Sequence, residues 1–291
     1  MPLVDQITDP VCDHGEGPVW HPRWPGLRWV DMFAGDVLEL ETGTERIVRH
    51  PTGSRISATI RPRTDGGTVL AVERGFALAD AALHTVRHLA EVWTDPCVRM
   101  NDGDCSPDGH FYCGSMAYDE TRGAGGLYRL NPDLTTTVVL EGVTISNGLT
   151  FSPDGATAYY IDTPTQQVDA FDYDSTGTLT NRRTVIRIPD DAGAPDGMTV
   201  DTDGRLWIAL WGGGAVRCYS PAGRLEHQLT LPVSQVTACA FGGPNLDELY
   251  ITTSRQTVAL GTQPAAGALF RARPGARGFP ARCYAPVHAA R

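Results

Sequence analysis

The sequence has no run of 18 apolar residues, no block of Lys or Arg, and no Cys-x-x-Cys pair. The first absence leaves nothing long enough to span a bilayer as a helix. The opening stretch from Met1 to Asp13 carries Asp5, Asp9 and Asp13, where a secretory signal would need a basic cluster and an apolar core. The expectation is a cytoplasmic protein with no membrane association. The second absence, with 24 basic against 34 acidic residues and a net charge of −10, excludes nucleic acid as a partner, because DNA and RNA are bound through basic faces that displace counterions. The seven cysteines, at 12, 97, 105, 113, 218, 239 and 283, are odd in number and have no histidines at zinc-finger spacing. They read as reduced thiols, most of them small buried strand residues.

Catalytic signatures of other kinds are missing too. No Gly-x-Ser-x-Gly elbow occurs, and His84 and His88, four apart, lack the Glu of a zinc-protease helix. Asp172-x-Asp174-x-Thr176-Gly177 imitates half an EF-hand loop, but Arg183 stands where the bidentate Glu belongs, so it reads as a hairpin turn. Gly212-Gly213-Gly214 follows a strand pattern with no helix to supply a dipole, which argues against a phosphate cradle.

What is present is turn chemistry and repetition. The chain has 32 Gly and 21 Pro in 291 residues and is 41% hydrophobic, a composition that builds a sizeable core without disulfides and disfavours a helical bundle. An apolar or aromatic run recurs six times: Leu27–Met32, Gly67–Val72, His110–Ser115, Ala158–Thr163, Arg205–Leu210 and Glu248–Thr253. Trp29, Val69, Tyr112, Tyr160, Trp207 and Tyr250 mark one phase of it at intervals of 40 to 48 residues. Such runs are strands, and a Pro-, Asp- or Gly-rich turn precedes each one. Further strand patterns follow, for example Leu127–Leu130 then Thr137–Leu140. Four antiparallel strands per unit and six units predict an all-β fold, a six-bladed β-propeller spanning 1–291 as a single domain, with the N-terminus supplying a strand that closes the ring. A seventh blade would need about 45 more residues.

The innermost strands of a propeller line a central channel, so equivalent positions in the repeat become neighbours. Counting seven residues back from the turn Asp of each repeat, or from Arg23 in the first, reaches Glu16, Asn101, Asn147 and Asp196 in four units, and Ala58 and Ala240 in the other two. Two carboxylates and two amides at one phase predict a polar cluster with an open flank. Each is followed by Gly or by Asp-Gly, which would let the backbone turn tightly at the channel mouth. Their oxygens suit a hard divalent cation such as Ca²⁺, Mg²⁺ or Mn²⁺, with Zn²⁺ possible through the carboxylates. His14 stands two residues before Glu16 and could reach the same point, but it is left outside the expected site.

Gly-Glu-Gly-Pro-Val-Trp at 15–20, Arg-Met-Asn-Asp-Gly at 99–103, Ser-Asn-Gly-Leu at 146–149, Pro-Asp-Gly-Met at 195–198 and Leu-Trp-Gly-Gly at 210–213 together resemble the gluconolactonase family. That family includes regucalcin (senescence marker protein) and the luciferin-regenerating enzymes, and the likeness runs from about residue 12 to about 285. The resemblance implies one divalent metal ion, Ca, Zn, Mn or Fe, held by Glu16, Asn147 and Asp196. It also implies that Arg99, Asn101 and Glu120 hold a sugar lactone, with Asp119 an alternative to Glu120. His110 and Cys113 depart from the residues usual in the third repeat.

The expected activity is hydrolysis of a small-molecule sugar lactone to its aldonic acid, with Asp196 as general base. Two other readings stay open: a calcium- or ligand-binding propeller with weak hydrolysis, and a lactonase for a non-sugar lactone or an organophosphate. Oligomeric state is not legible in the sequence.

Overall fold

The β-branched and aromatic runs become strands, and the Pro-Asp-Gly turns become the hairpins between them. The computed structural model describes residues 3–44, 46–174 and 176–287. Strand β1 (Val4–Gln6) is followed by a first blade of β2 (Gly15–Val19), β3 (Gly26–Asp31), β4 (Asp36–Glu41) and β5 (Ile47–Pro51). The second holds β6 (Ser57–Pro62), β7 (Thr68–Val72), β8 (Gly75–Ala79) and β9 (Val86–Glu91). The third holds β10 (Val98–Cys105), β11 (Phe111–Ala117), β12 (Gly125–Leu130) and β13 (Thr136–Val143). The fourth holds β14 (Ser146–Phe151), β15 (Thr157–Asp162), β16 (Gln167–Tyr173) and β17 (Leu179–Arg187). The fifth holds β18 (Ala194–Val200), β19 (Leu206–Trp211), β20 (Ala215–Tyr219) and β21 (Leu225–Thr230). The last is built from β22 (Val236–Gly242), β23 (Glu248–Thr253), β24 (Phe270–Ala272) and β1.

The fold is thus the expected six-bladed propeller with four antiparallel strands per blade. The register Val4↔Ala272, Asp5↔Arg271, Gln6↔Phe270 joins the two ends of the chain in one sheet and closes the ring. Inner and middle strands are buried on both faces, whereas the fourth strands are largely exposed. The core lies between blades. Between the fifth and sixth, for example, Trp207, Val216, Leu229, Phe241, Leu249 and Phe270 interlock. All seven cysteines are free thiols, and five of them are buried. Among the described residues no helix is long and apolar enough to cross a membrane.

Each innermost strand carries a β-bulge. Asn101, Asn147 and Asp196 sit within the bulges of β10, β14 and β18, while Glu16 directly precedes that of β2. A bulge breaks the alternation of the strand and re-aims a side chain, which here applies to Asn101, Asn147 and Asp196. In the second blade the bulge falls at Ala58, as expected, but in the sixth it falls at Thr237 and not at Ala240. Two of the three positions of this slip arise because Asp247 stands immediately before β23, whereas the other turn residues stand three positions ahead of their strands. Ala240 instead lines the channel further down.

The chain ends in a strap on the face opposite the bulges. Cys283 approaches His21 of the first blade, and Tyr284 pairs with Arg63 of the second. Ala285 N donates to Gly109 O of the third blade, and the Arg282 guanidinium donates to Phe151 O and Ser152 O of the fourth. Thr202 N donates to Arg277 O from the fifth blade, and Gly278 N donates to Leu246 O of the sixth. Phe279, Pro280, Ala281 and Arg282 line the floor of a channel cavity of about 90 Å³.

Candidate active site

The residues picked out by repeat phase converge. Arg99 Nη1 donates to Asn101 Oδ1 at 2.7 Å, and Asn101 Nδ2 donates to Ser146 O at 2.8 Å and to Asn147 Oδ1 at 3.3 Å. The Asn147 side chain favours the charged form of Asp196, whose charge is in turn felt by Glu16. Four blades therefore contribute to one buried polar cluster. Glu16, Asn101, Asn147 and Asp196 are each no more than 6% exposed.

Glycine plays a different part from the one expected. Gly148 and Gly197, which follow Asn147 and Asp196, have ordinary backbone conformations. Their value is closeness: a Cβ on Gly148 would lie 2.7 Å from Asp196 O, and one on Gly197 would lie 2.6 Å from Ala238 Cβ. Only residues without side chains let adjacent inner strands approach so tightly. In the first blade Gly17 does adopt a positive φ of 51°, which L side chains disfavour.

Two further groups belong to the cluster. Asp102, beside Asn101 in the same bulge, is buried and accepts from Gly103 N at 2.7 Å. Its carboxylate faces the channel cavity with Arg61 and Asp104. His14 is buried between Phe33 and Trp211, with ring centroids 5.0 and 5.7 Å away. Its Nδ1 meets Ser254 Oγ at 2.8 Å, and its Nε2 lies 3.7 Å from Glu16 Oε1. His14 thus reaches the site; its position two residues ahead of Glu16 on the same strand face was the available signal.

The electrostatics are those of crowded negative charge. Burial holds the Glu16 carboxyl well above its ordinary range, and Asp196 and Asp102 push it further the same way. Asp196 is raised by burial and by Asp102, although Gly197 N and the Asn147 side chain favour its charged form. Asp102 is raised by burial to about 6, with Arg61 opposing the shift. Burial lowers His14 to about 3, helped by the charge of Arg99, so it is neutral. Among the described residues, only His14 comes within ion-pair distance of any of these three carboxylates.

Arg99 is the complement. Its guanidinium is buried, sits 5.3 Å from the Phe33 ring and 5.8 Å from the Tyr118 ring, and has no carboxylate within ion-pair distance among the described residues. Nε finds no acceptor. Tyr118 is itself anchored, its hydroxyl donating to Glu73 Oε1 at 2.7 Å. Glu120 and Asp119 both lie exposed on the loop after β11, outside the buried cluster. Asp119 Oδ1 accepts from Thr121 N within its own turn, whereas the Glu120 carboxylate is among the charges that favour protonated Arg99.

The donor chemistry fits a hard divalent cation. Two buried carboxylates, with only the neutral His14 at ion-pair distance among the described residues, beside the Asn147 amide oxygen, are the oxygen ligands such ions take. Among the described residues no three His, Cys, Asp or Glu side chains converge closely enough to hold an ion by themselves.

Fold and geometry together define a β-propeller with an oxygen-rich site at one mouth of its channel. Residues 14–255 match the family described as SMP-30/Gluconolactonase/LRE-like region, and the chain belongs to that family. It is 37% identical to regucalcin of Danio rerio over 289 residues, covering 97% of this chain and 98% of that one. It is also 37% identical over 287 residues to pentonolactonase XacC of Haloferax volcanii, covering 95% and 96%. A solved structure described as a calcium-binding protein, regucalcin, from Agrobacterium tumefaciens superposes with a TM-score of 0.89 at 28% identity, covering 96% of this chain and 95% of that one.

Proposed function

We propose that this protein is a metal-dependent hydrolase that opens sugar lactones, of the gluconolactone or pentonolactone kind, to aldonic acids. The observation that carries the reading is the pairing of unneutralised buried carboxylates, Glu16 and Asp196, with a buried guanidinium that has N–H groups to spare. The pentonolactonase relative supports the substrate class, and the regucalcin structure described as calcium-binding supports the cation. Glu16, Asn147 and Asp196 are the residues to hold that cation. When bound there, a divalent ion supplies Lewis-acid polarisation of a carbonyl and acidifies water.

The chain's own groups do the rest. Asp196 takes the proton from the attacking water and returns it to the ring oxygen as the C–O bond breaks, a general base supported in its charged form by Gly197 N and Asn147. Arg99 and Asn101 orient the lactone through its oxygens, and the Phe33 and Tyr118 rings keep the guanidinium plane from turning away. Glu120, at the rim, accepts from substrate hydroxyls. A purely cation-binding role would leave the free face of Arg99 without a purpose.

The test is acid release from a panel of five- and six-membered aldonolactones, corrected for spontaneous opening, with and without chelator. A chelator-sensitive rate on at least one sugar lactone is expected. Binding of Ca²⁺ or Mn²⁺ with no such rate would instead establish a binding propeller, and a rate confined to aromatic lactones or organophosphates would move the substrate class.

A further inference from the structure

The Asn147 amide could turn either end to the channel, and only its oxygen can hold a cation. What decides the orientation lies on the neighbouring turn. Asn147 Nδ2 donates to Thr163 Oγ1 at 2.9 Å, and Thr163 Oγ1 donates to Pro195 O at 2.8 Å. A hydroxyl has one proton, and a carbonyl can only accept. The Thr163 proton is therefore committed to Pro195, so Oγ1 must accept, and the nitrogen end of Asn147 must face it. The far end of the chain of bonds agrees. Arg99 can only donate, which turns Asn101 Oδ1 towards it and leaves Asn101 Nδ2 to meet Ser146 O and Asn147 Oδ1. From Arg99 to Pro195 O every proton points the same way.

Thr163 is well fixed for this task. It opens the short 3-10 turn Thr163–Thr165 between β15 and β16. Its N–H donates to Ile145 O, and its carbonyl accepts from Gln166 N, each at 3.1 Å. The adjacent Asp162 carboxylate accepts from Thr144 N and Ile145 N, which ties the turn to the start of β14. Pro195, the acceptor, directly precedes Asp196. One hydroxyl thus sets the amide of one oxygen donor and grips the backbone next to another.

We propose that Thr163 is a positioning residue, which holds the Asn147 oxygen towards the channel and couples it to the strand bearing Asp196. The proposal rests on the reading of Glu16, Asn147 and Asp196 as cation ligands. Partners behind a metal ligand typically account for roughly 10- to 100-fold in affinity. Thr163→Val, which keeps the shape and removes the hydroxyl, loses cation affinity in that range, and Thr163→Ser retains it to within about threefold.

The experiment is calorimetric titration of chelator-stripped protein with Ca²⁺ and with Mn²⁺, alongside thermal midpoints of the cation-free proteins. Thr163→Ala is carried in parallel in case the valine methyl disturbs the turn. The Asn147→Asp background supplies the decisive control, because a carboxylate offers oxygen from both ends and needs no orienting. There the penalty of Thr163→Val vanishes. If wild-type protein takes up neither ion, or Asn147→Ala takes up both unchanged, the underlying site assignment fails. If Asn147→Ala loses binding while Thr163→Val keeps it, the positioning role is overturned and the site assignment stands. A penalty shared equally by the serine variant, or persisting with Asn147→Asp, also overturns it.

Discussion

Gly148→Ala places one methyl group between two inner strands, and its consequences follow from three distances. The new Cβ would lie 2.7 Å from Asp196 O, 2.8 Å from Met198 Cγ and 3.0 Å from Ile161 Cδ1. Methionine and isoleucine side chains can shift. The Asp196 carbonyl cannot move without carrying the residue that the proposed chemistry depends on, and relief needs roughly half an ångström or more. Overpacking of this kind costs about 1–3 kcal/mol, partly offset by the roughly 0.4–1 kcal/mol that alanine contributes by restricting the unfolded chain. A net loss of about 1–2 kcal/mol lowers the thermal midpoint by roughly 2–3 °C. Displacement by a full ångström is worth about 10²-fold in rate, so half of that predicts a fall of roughly tenfold in lactone turnover. The assay pairs a thermal melt with initial rates of acid release at saturating cation. A variant as stable and as active as wild type would refute the argument that this glycine sets the spacing of the two strands.

Asp196→Asn abolishes turnover while raising the thermal midpoint of the cation-free protein, because it removes one of three mutually repelling buried carboxylates; melts in chelator and rate assays read the two effects separately. Asn101→Ala raises KM for the lactone and leaves calorimetric cation affinity within a few-fold, as befits a substrate contact. Asp102 gives a pH signature. Its folded-state pKa is raised from 3.8 to about 6, so its stabilisation is complete below pH about 4 and is lost as pH rises through about 6. In chelator, the stability of Asp102→Asn relative to wild type therefore climbs between pH 4 and 6 and then levels off; a flat difference in urea titrations would contradict the buried environment of that carboxylate.

Much of this architecture was written in the chain, because a propeller repeats its strand and turn chemistry at near-constant spacing. Glu16, Asn101, Asn147 and Asp196 could be found together by counting from turn residues, since equal phase means adjacency around a ring. The same device failed at Ala240, where the turn before β23 carries its Asp later than its counterparts do. Asp102 escaped for a subtler reason. Neighbours on a strand normally point to opposite faces, and an Asn-Asp-Gly triplet reads as a turn; the bulge in β10 instead directs Asn101 into the upper cluster and Asp102 into the cavity below. The Thr163 link had no sequence signal at all, because it depends on where a hydroxyl between β15 and β16 falls relative to the next blade.

The carboxy-terminal strap has a practical corollary. Phe279 to Arg282 line the strap side of the channel cavity, so a ligand of the Glu16–Asn147–Asp196 cluster is expected to arrive from the opposite mouth. Val287, whose N–H donates to Pro132 O in the turn between β12 and β13, extends the strap onto the third blade. An attachment made through the strap would therefore sit on the face opposite the bulges that carry Asn101, Asn147 and Asp196.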